Sequence, residues 1–270
     1  MKVYDVYDRN SNILDNGKNI FKTVEKYLSK FPIEYRKCYY DNIDTLELIK
    51  VDKLPDGSEA GIYNQDMNTI VFSKNYSLGH ELMYMASNDL LKKQFAFESK
   101  MDIETGLIEG MTEYHHMKAF DLKMPGAYSF EVFSVMMLES IPDIFKSFFI
   151  PEEKGIFKVC PSKKYMYGLL YSLDKYDELM LDYLSQSYVD KDNILIDLTE
   201  ARMAIRHVID NLIGIELTME NDDSKLEQYA DKFMDLISSN LICDIVPFFY
   251  KNYKDYANKQ IKKKIRERKI

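Results

Sequence analysis

The feature that most constrains this chain is a change of period near residue 75. Before it, short β-rich runs are mixed with one helically spaced stretch. After it, apolar residues recur at three- and four-residue spacing almost to the C-terminus. The order predicts an α+β chain that is mostly helical. A short strand is expected over 2–7 and a helix over 18–31, where Ile20, Phe21, Val24, Tyr27, Leu28 and Phe31 are helically spaced and Pro32 stops it. Leu46, Leu48 and Val51 read as extended, closed by Pro55, Asp56 and Gly57. Residues 61–63 and 69–72 form a plausible hairpin. Helices are then expected over 76–91, 106–122, 128–141, 163–188, 199–213, 224–238 and 241–264, with a break at Pro125 and Gly126. Ser224 and Glu227 have capping-box spacing. A composition shift near residue 95 divides an N-terminal lobe, 1–95, from a larger helical lobe, 96–270.

Size and charge bound the functions. With 270 residues the chain can bury a sizeable core. Its net charge of −8 argues against a general nucleic-acid binder, which needs a basic surface. The one basic run, 259–269, reads as a solvated helix end. Cys38, Cys160 and Cys243 are odd in number, far apart and form no CxxC, so neither a disulfide framework nor a finger-type zinc site is expected. No run of about 18 apolar residues is present, so no membrane span is expected. The first residues lack a signal-peptide core, and a cytoplasmic location is expected. The fifteen methionines lie mostly among Leu, Ile and Phe and read as core fillers.

The residues that carry chemistry begin at His80 and Glu81. Two histidines four apart on one helix share a face and can share a metal, while a Glu beside the first acts as general base. Here Tyr84 stands where the second histidine belongs. Upstream, 68–73 reads as a strand feeding the helix. Downstream, Gly106, Leu107, Ile108, Glu109, Gly110, Met111, Thr112, Glu113 and Tyr114 open another helix, with Glu113 one turn past Glu109 on the same face.

These segments resemble the active-site stretch of gluzincin zinc metallopeptidases, HExxH followed by a glutamate on a later helix. Gly106 to Tyr114 is similar to the G-L-N-E-G-x-T-E-Y type of segment, with Ile108 in place of the usual Asn. His80 to Ser87 resembles the H-E-L-x-H-M-A-S helix of some members. The likeness covers about forty residues, 69–114. It implies a zincin-like fold, with Glu81 as catalytic base and His80 and Glu109 as zinc ligands. Glu113 would orient His80 from behind the metal shell, and Thr112 would sit beside them. Tyr84 is a poor third ligand, because a phenol of reference pKa about 10 must ionise to bind. A zinc site is thus possible but degenerate.

Other histidines offer no obvious replacement. His116 lies seven residues past Glu109, about 10 Å along a straight helix, too far to share one zinc with it. His115 points elsewhere. Both are expected as surface or packing residues, and His207 has no supporting motif. The leading expectation is a catalytically impaired, peptidase-like protein that binds a peptide or protein. Two alternatives stay open: an active peptidase with a variant ligand set, and a non-enzymatic helical interaction domain.

Overall fold

The computed structural model describes residues 4–6, 19–54, 60–99, 103–189, 198–219, parts of 225–236, and 250–267. The chain is α+β and mostly helical. It divides into two compact units. One comprises Met1–Glu98, Met111–Pro125 and Asp143–Ile156; the other comprises Ser99–Gly110, Gly126–Pro142 and Phe157–Ile270. Residues 96–98, 111–125 and 143–156 thus group with the N-terminal part rather than with the later helices.

The first unit holds a four-stranded sheet. Strands β1 (Tyr4–Val6), β2 (Glu47–Lys50), β3 (Gly61–Asn64) and β4 (Thr69–Phe72) lie in the order β1-β2-β4-β3. β2 and β4 are parallel, and the other pairings are antiparallel. The expected hairpin is present, with Gly61 opposite Phe72 and Asn64 opposite Thr69. Its turn uses Asn68 at φ 49°, a left-handed backbone that Asn tolerates. Helix α1 (Ile20–Leu28) starts where Asn19 Oδ1 accepts from Lys22 N at 3.0 Å. With α2 (Lys37–Ile43) and α3 (Asn75–Met85) it covers the core of Ile20, Val24, Leu28, Tyr39, Ile70, Phe72, Leu78 and Leu82, all buried.

The expected helix 76–91 ends early, at Met85. Ser87 Oγ donates to Tyr84 O at 2.8 Å, a local bond that competes with helix continuation. Asn88 is drawn inward, and its Nδ2 donates to Tyr63 Oη at 2.8 Å. Tyr63 in turn donates to Asn68 Oδ1, while Asn68 Nδ2 donates to Asn42 O at 2.7 Å. This satisfied polar network ties α2, the hairpin and the end of α3 together. Strands β5 (Asn88–Asp89) and β6 (Gln94–Phe95) then form a small antiparallel pair that alternation did not reveal.

Helix α4 (Thr105–Phe120) follows, then α5 (Ser129–Leu138), α6 (Ile144–Phe149) and α7 (Ile156–Val159). Helices α6 and α7, like α2, were not expected. In the second unit α8 (Lys163–Val189) and α9 (Leu198–Met219) form an antiparallel pair. Gly168 of α8 faces Asn211 and Gly214 of α9 faces Tyr165, so the start of one helix meets the end of the other. α10 (Tyr250–Glu267) docks on α9, where Tyr256 Oη donates to Asp210 Oδ2 at 2.7 Å. Val132, Phe133, Leu169, Leu173, Val208, Leu212 and Ala257 fill this core. Met83, Met85, Met111, Met117, Met137 and Met166 are buried, as core fillers should be. The capping pair Ser224 and Glu227, and Cys243, lie outside the described residues. Cys38 and Cys160 are buried free thiols. Among the described residues no helix is long and apolar enough to cross a membrane.

Candidate functional site

The site lies wholly within the first unit. Helix α3 presents His80, and the second half of α4 presents Glu113 and His116 one turn apart. His80 Nδ1 donates to Glu113 Oε2 at 2.8 Å. His116 Nδ1 donates to the same oxygen at 3.1 Å. Glu113 and His116 are each only 1% exposed, and His80 is half-buried.

Close approach of the two helices depends on Gly79. A Cβ there would lie 2.9 Å from His116 Nε2 and 2.8 Å from Phe120 Cε2. Of the two expectations for His116, surface or packing, the structure gives packing. The His116 ring is walled by Tyr76, His80 and Phe120.

Electrostatics follow from the geometry. Burial alone would push the Glu113 carboxyl upward. The hydrogen bonds and charge of His116 and His80 outweigh it, and the group is held down to about 2. It is a carboxylate at any ordinary pH. Both rings thus turn Nδ1 to this one carboxylate oxygen.

The other candidate residues are placed differently. Glu81, 8% exposed, packs against the sheet edge. A Cβ on Gly61 of β3 would lie 2.7 Å from Glu81 Cγ and 3.0 Å from its Oε1, so Gly61 makes room for this carboxylate. Tyr84 stacks on Phe95 with ring centroids 4.4 Å apart and planes at 19°. Thr112 is buried. His115 is fully buried among Tyr27, Phe31, Tyr114, Phe145, Phe148 and Phe149, with Nδ1 2.7 Å from Tyr27 Oη. Burial, then the charge of Lys118, pushes it down to about 3, so it is a neutral packing residue. His207 is exposed on α9.

Glu109 belongs to the second unit and is half-buried there. Its charge adds to an acidic pair, Glu131 on α5 and Asp177 on α8. Both are raised, first by burial; Glu131 is raised further by the charge of Asp177 and by its hydrogen bond to that carboxylate. The two carboxyls therefore titrate as a pair, with Glu131 pushed well above the ordinary carboxyl range.

No family model, curated protein or solved structure matches this chain. What can hold a cation is therefore decided by the donors themselves. The zinc implied by the resemblance needs a second imidazole one turn after His80, and Tyr84 supplies only a phenol lodged on Phe95. The family's three-ligand set does not fit these residues. Among the described residues the donors that converge are His80, Glu113 and His116, whose ligand atoms lie within 4.8 Å of one another. The histidine at 116 was missed because its reach was measured from Glu109. Its three-residue spacing from Glu113 was the available signal.

Proposed function

We propose that this chain is a zincin-like protein of the gluzincin type whose peptidase activity is lost or nearly lost, and that it binds an extended peptide or protein segment along β3. The observation that carries this reading is the seat of Glu81 against Gly61 on the terminal strand of the sheet. A terminal strand offers its outer row of N–H and C=O groups to an added strand. The neighbouring His80 is held from behind by a carboxylate, as the resemblance implies for a metal-facing histidine. Position 84 withholds the second imidazole. Binding without turnover is what such a site retains.

The test is incubation with a diverse peptide library, with and without added zinc. No cleavage above background is expected. A bound peptide is expected to slow hydrogen exchange at 61–64. Cleavage that disappears in Glu81→Gln would overturn the inactive reading, and binding that leaves 61–64 unprotected would overturn the strand-addition mode.

A further inference from the structure

We propose that His80, Glu113 and His116 form a site for one borderline divalent ion of the zinc class, displaced one turn along α4 from the position the resemblance implies. This goes beyond the peptide-binding reading, which rests on Glu81 and β3, and it makes Glu113 a ligand rather than a support behind a metal-facing His80.

The geometry supplies three donors at one point. Two Nδ1 atoms already meet a single carboxylate oxygen at 2.8 and 3.1 Å. Zinc takes nitrogen and oxygen ligands at about 2.0–2.2 Å, which sets neighbouring ligand atoms about 3.3 Å apart in a tetrahedron. The two nitrogen–oxygen pairs must open by only a few tenths of an ångström to admit the ion. His116, lodged against Gly79, thus does for His80 what a histidine at position 84 would have done. The donor set also selects the ion. Two imidazoles and one carboxylate suit zinc and its transition-metal neighbours. Magnesium and calcium demand more oxygen ligands than this pocket offers.

The proton count closes. Each neutral imidazole moves its proton from Nδ1 to Nε2 as the metal takes the Nδ1 lone pair, so neutral rings bind without net release. A ring that begins as imidazolium releases one proton to solvent. Glu113 is already ionised and contributes its charge. With two donors almost wholly buried, the ion would cross-link α3 to α4 and would not drive hydrolysis.

The experiment uses the full chain, stripped with a chelator and titrated with zinc against a chromophoric competitor. One equivalent is expected to bind. His116→Ala and Glu113→Gln are each expected to weaken it by more than about 100-fold, since even loss of an outer-shell partner costs 10–100-fold. Tyr84→Phe and Glu109→Gln are expected to leave affinity within about threefold, because neither residue is in the triad. No uptake by the wild type overturns the proposal, as does retention in His116→Ala or loss in Glu109→Gln. Should the triad variants fail to fold, cobalt(II) decides. Its visible bands must appear in the wild type and stay unchanged in Tyr84→Phe and Glu109→Gln; changed bands overturn the site. Failure here is distinct from failure of the peptide-binding reading, which is decided by cleavage and by exchange at β3.

Discussion

The two units solve the same problem, a buried acid, in opposite ways. In the first, Glu113 is 1% exposed and surrounded by imidazole N–H donors, so it stays charged. In the second, Glu131 is also 1% exposed but faces Asp177, with Glu109 adding like charge, so its pKa is pushed well up. Burial pushes both carboxyls upward, and the neighbours decide the outcome. One helix, α4, serves both arrangements: Glu113 is on its later half, and Gly110 on its earlier half lies against the Glu131 backbone. A Cβ at Gly110 would approach the Glu131 carbonyl carbon to 2.7 Å.

The contrast predicts unequal responses to one substitution. Glu113→Gln removes a buried charge on which two histidines depend. It is expected to cost about 3 kcal/mol, the order seen when one partner of a buried pair is deleted. Urea denaturation at pH 7, with hydrogen exchange read at α3, measures it. The pH dependence has a definite sign. The folded-state pKa of Glu113 is depressed, from 4.5 to about 2, so its stabilisation is present above pH 4.5 and lost as pH falls towards 2. That acid limb is expected in the wild type and absent in Glu113→Gln. An unchanged acid limb in the variant would assign it to other carboxylates.

How much of this was legible in the sequence depends on the range of the signal. The hairpin 61–72 and α4, α5 and α8 were readable because period and turn residues are local. The partnership of Glu113 with His80 was expected from the family resemblance, not from period or spacing. His116 was expected as a surface or packing residue, and its bond to Glu113 was not seen, because that depends on how closely α3 approaches α4. That approach is set by Gly79, whose missing side chain leaves no pattern in hydropathy. The early end of α3 was hidden for a related reason: Asn88 looks like an ordinary helix residue until Tyr63 is beside it. The Glu131–Asp177 pair spans 46 residues, and nothing local marks either acid as buried beside another.

Gly79 offers a second way to break the comparison. Gly79→Ala adds a methyl 2.8–3.0 Å from Phe120 and His116 atoms. Overpacking of that kind costs about 1–3 kcal/mol. Ala regains up to about 1 kcal/mol of helix propensity, so a net loss of about 1 kcal/mol is expected. The telling readout is faster exchange in α3 and in 111–120, with α8 and α9 unmoved. A neutral or stabilising result would mean that the triad tolerates wider helix spacing, and its hydrogen bonds would then carry less of the first unit's stability.

The smallest effect is expected at Glu131→Gln. A protonated carboxyl and an amide are nearly the same shape, and the amide N–H can still donate to Asp177. Stability at neutral pH should change by no more than about 1 kcal/mol. The pH profile should change more than the stability does. Raised carboxyl pKa values stabilise the fold below the ordinary carboxylate range and lose that contribution as pH rises through the raised values. In the Glu131→Gln variant the hydrogen bond to Asp177 remains, but no second carboxylate can form to repel it, so the loss of second-unit stability on raising pH should flatten. Exchange at α5 and α8 between pH 4 and 8 measures this. A cost as large as that of Glu113→Gln would show that Glu131 is held as a carboxylate after all, and the two units would then differ in packing but not in the charge of their buried acids.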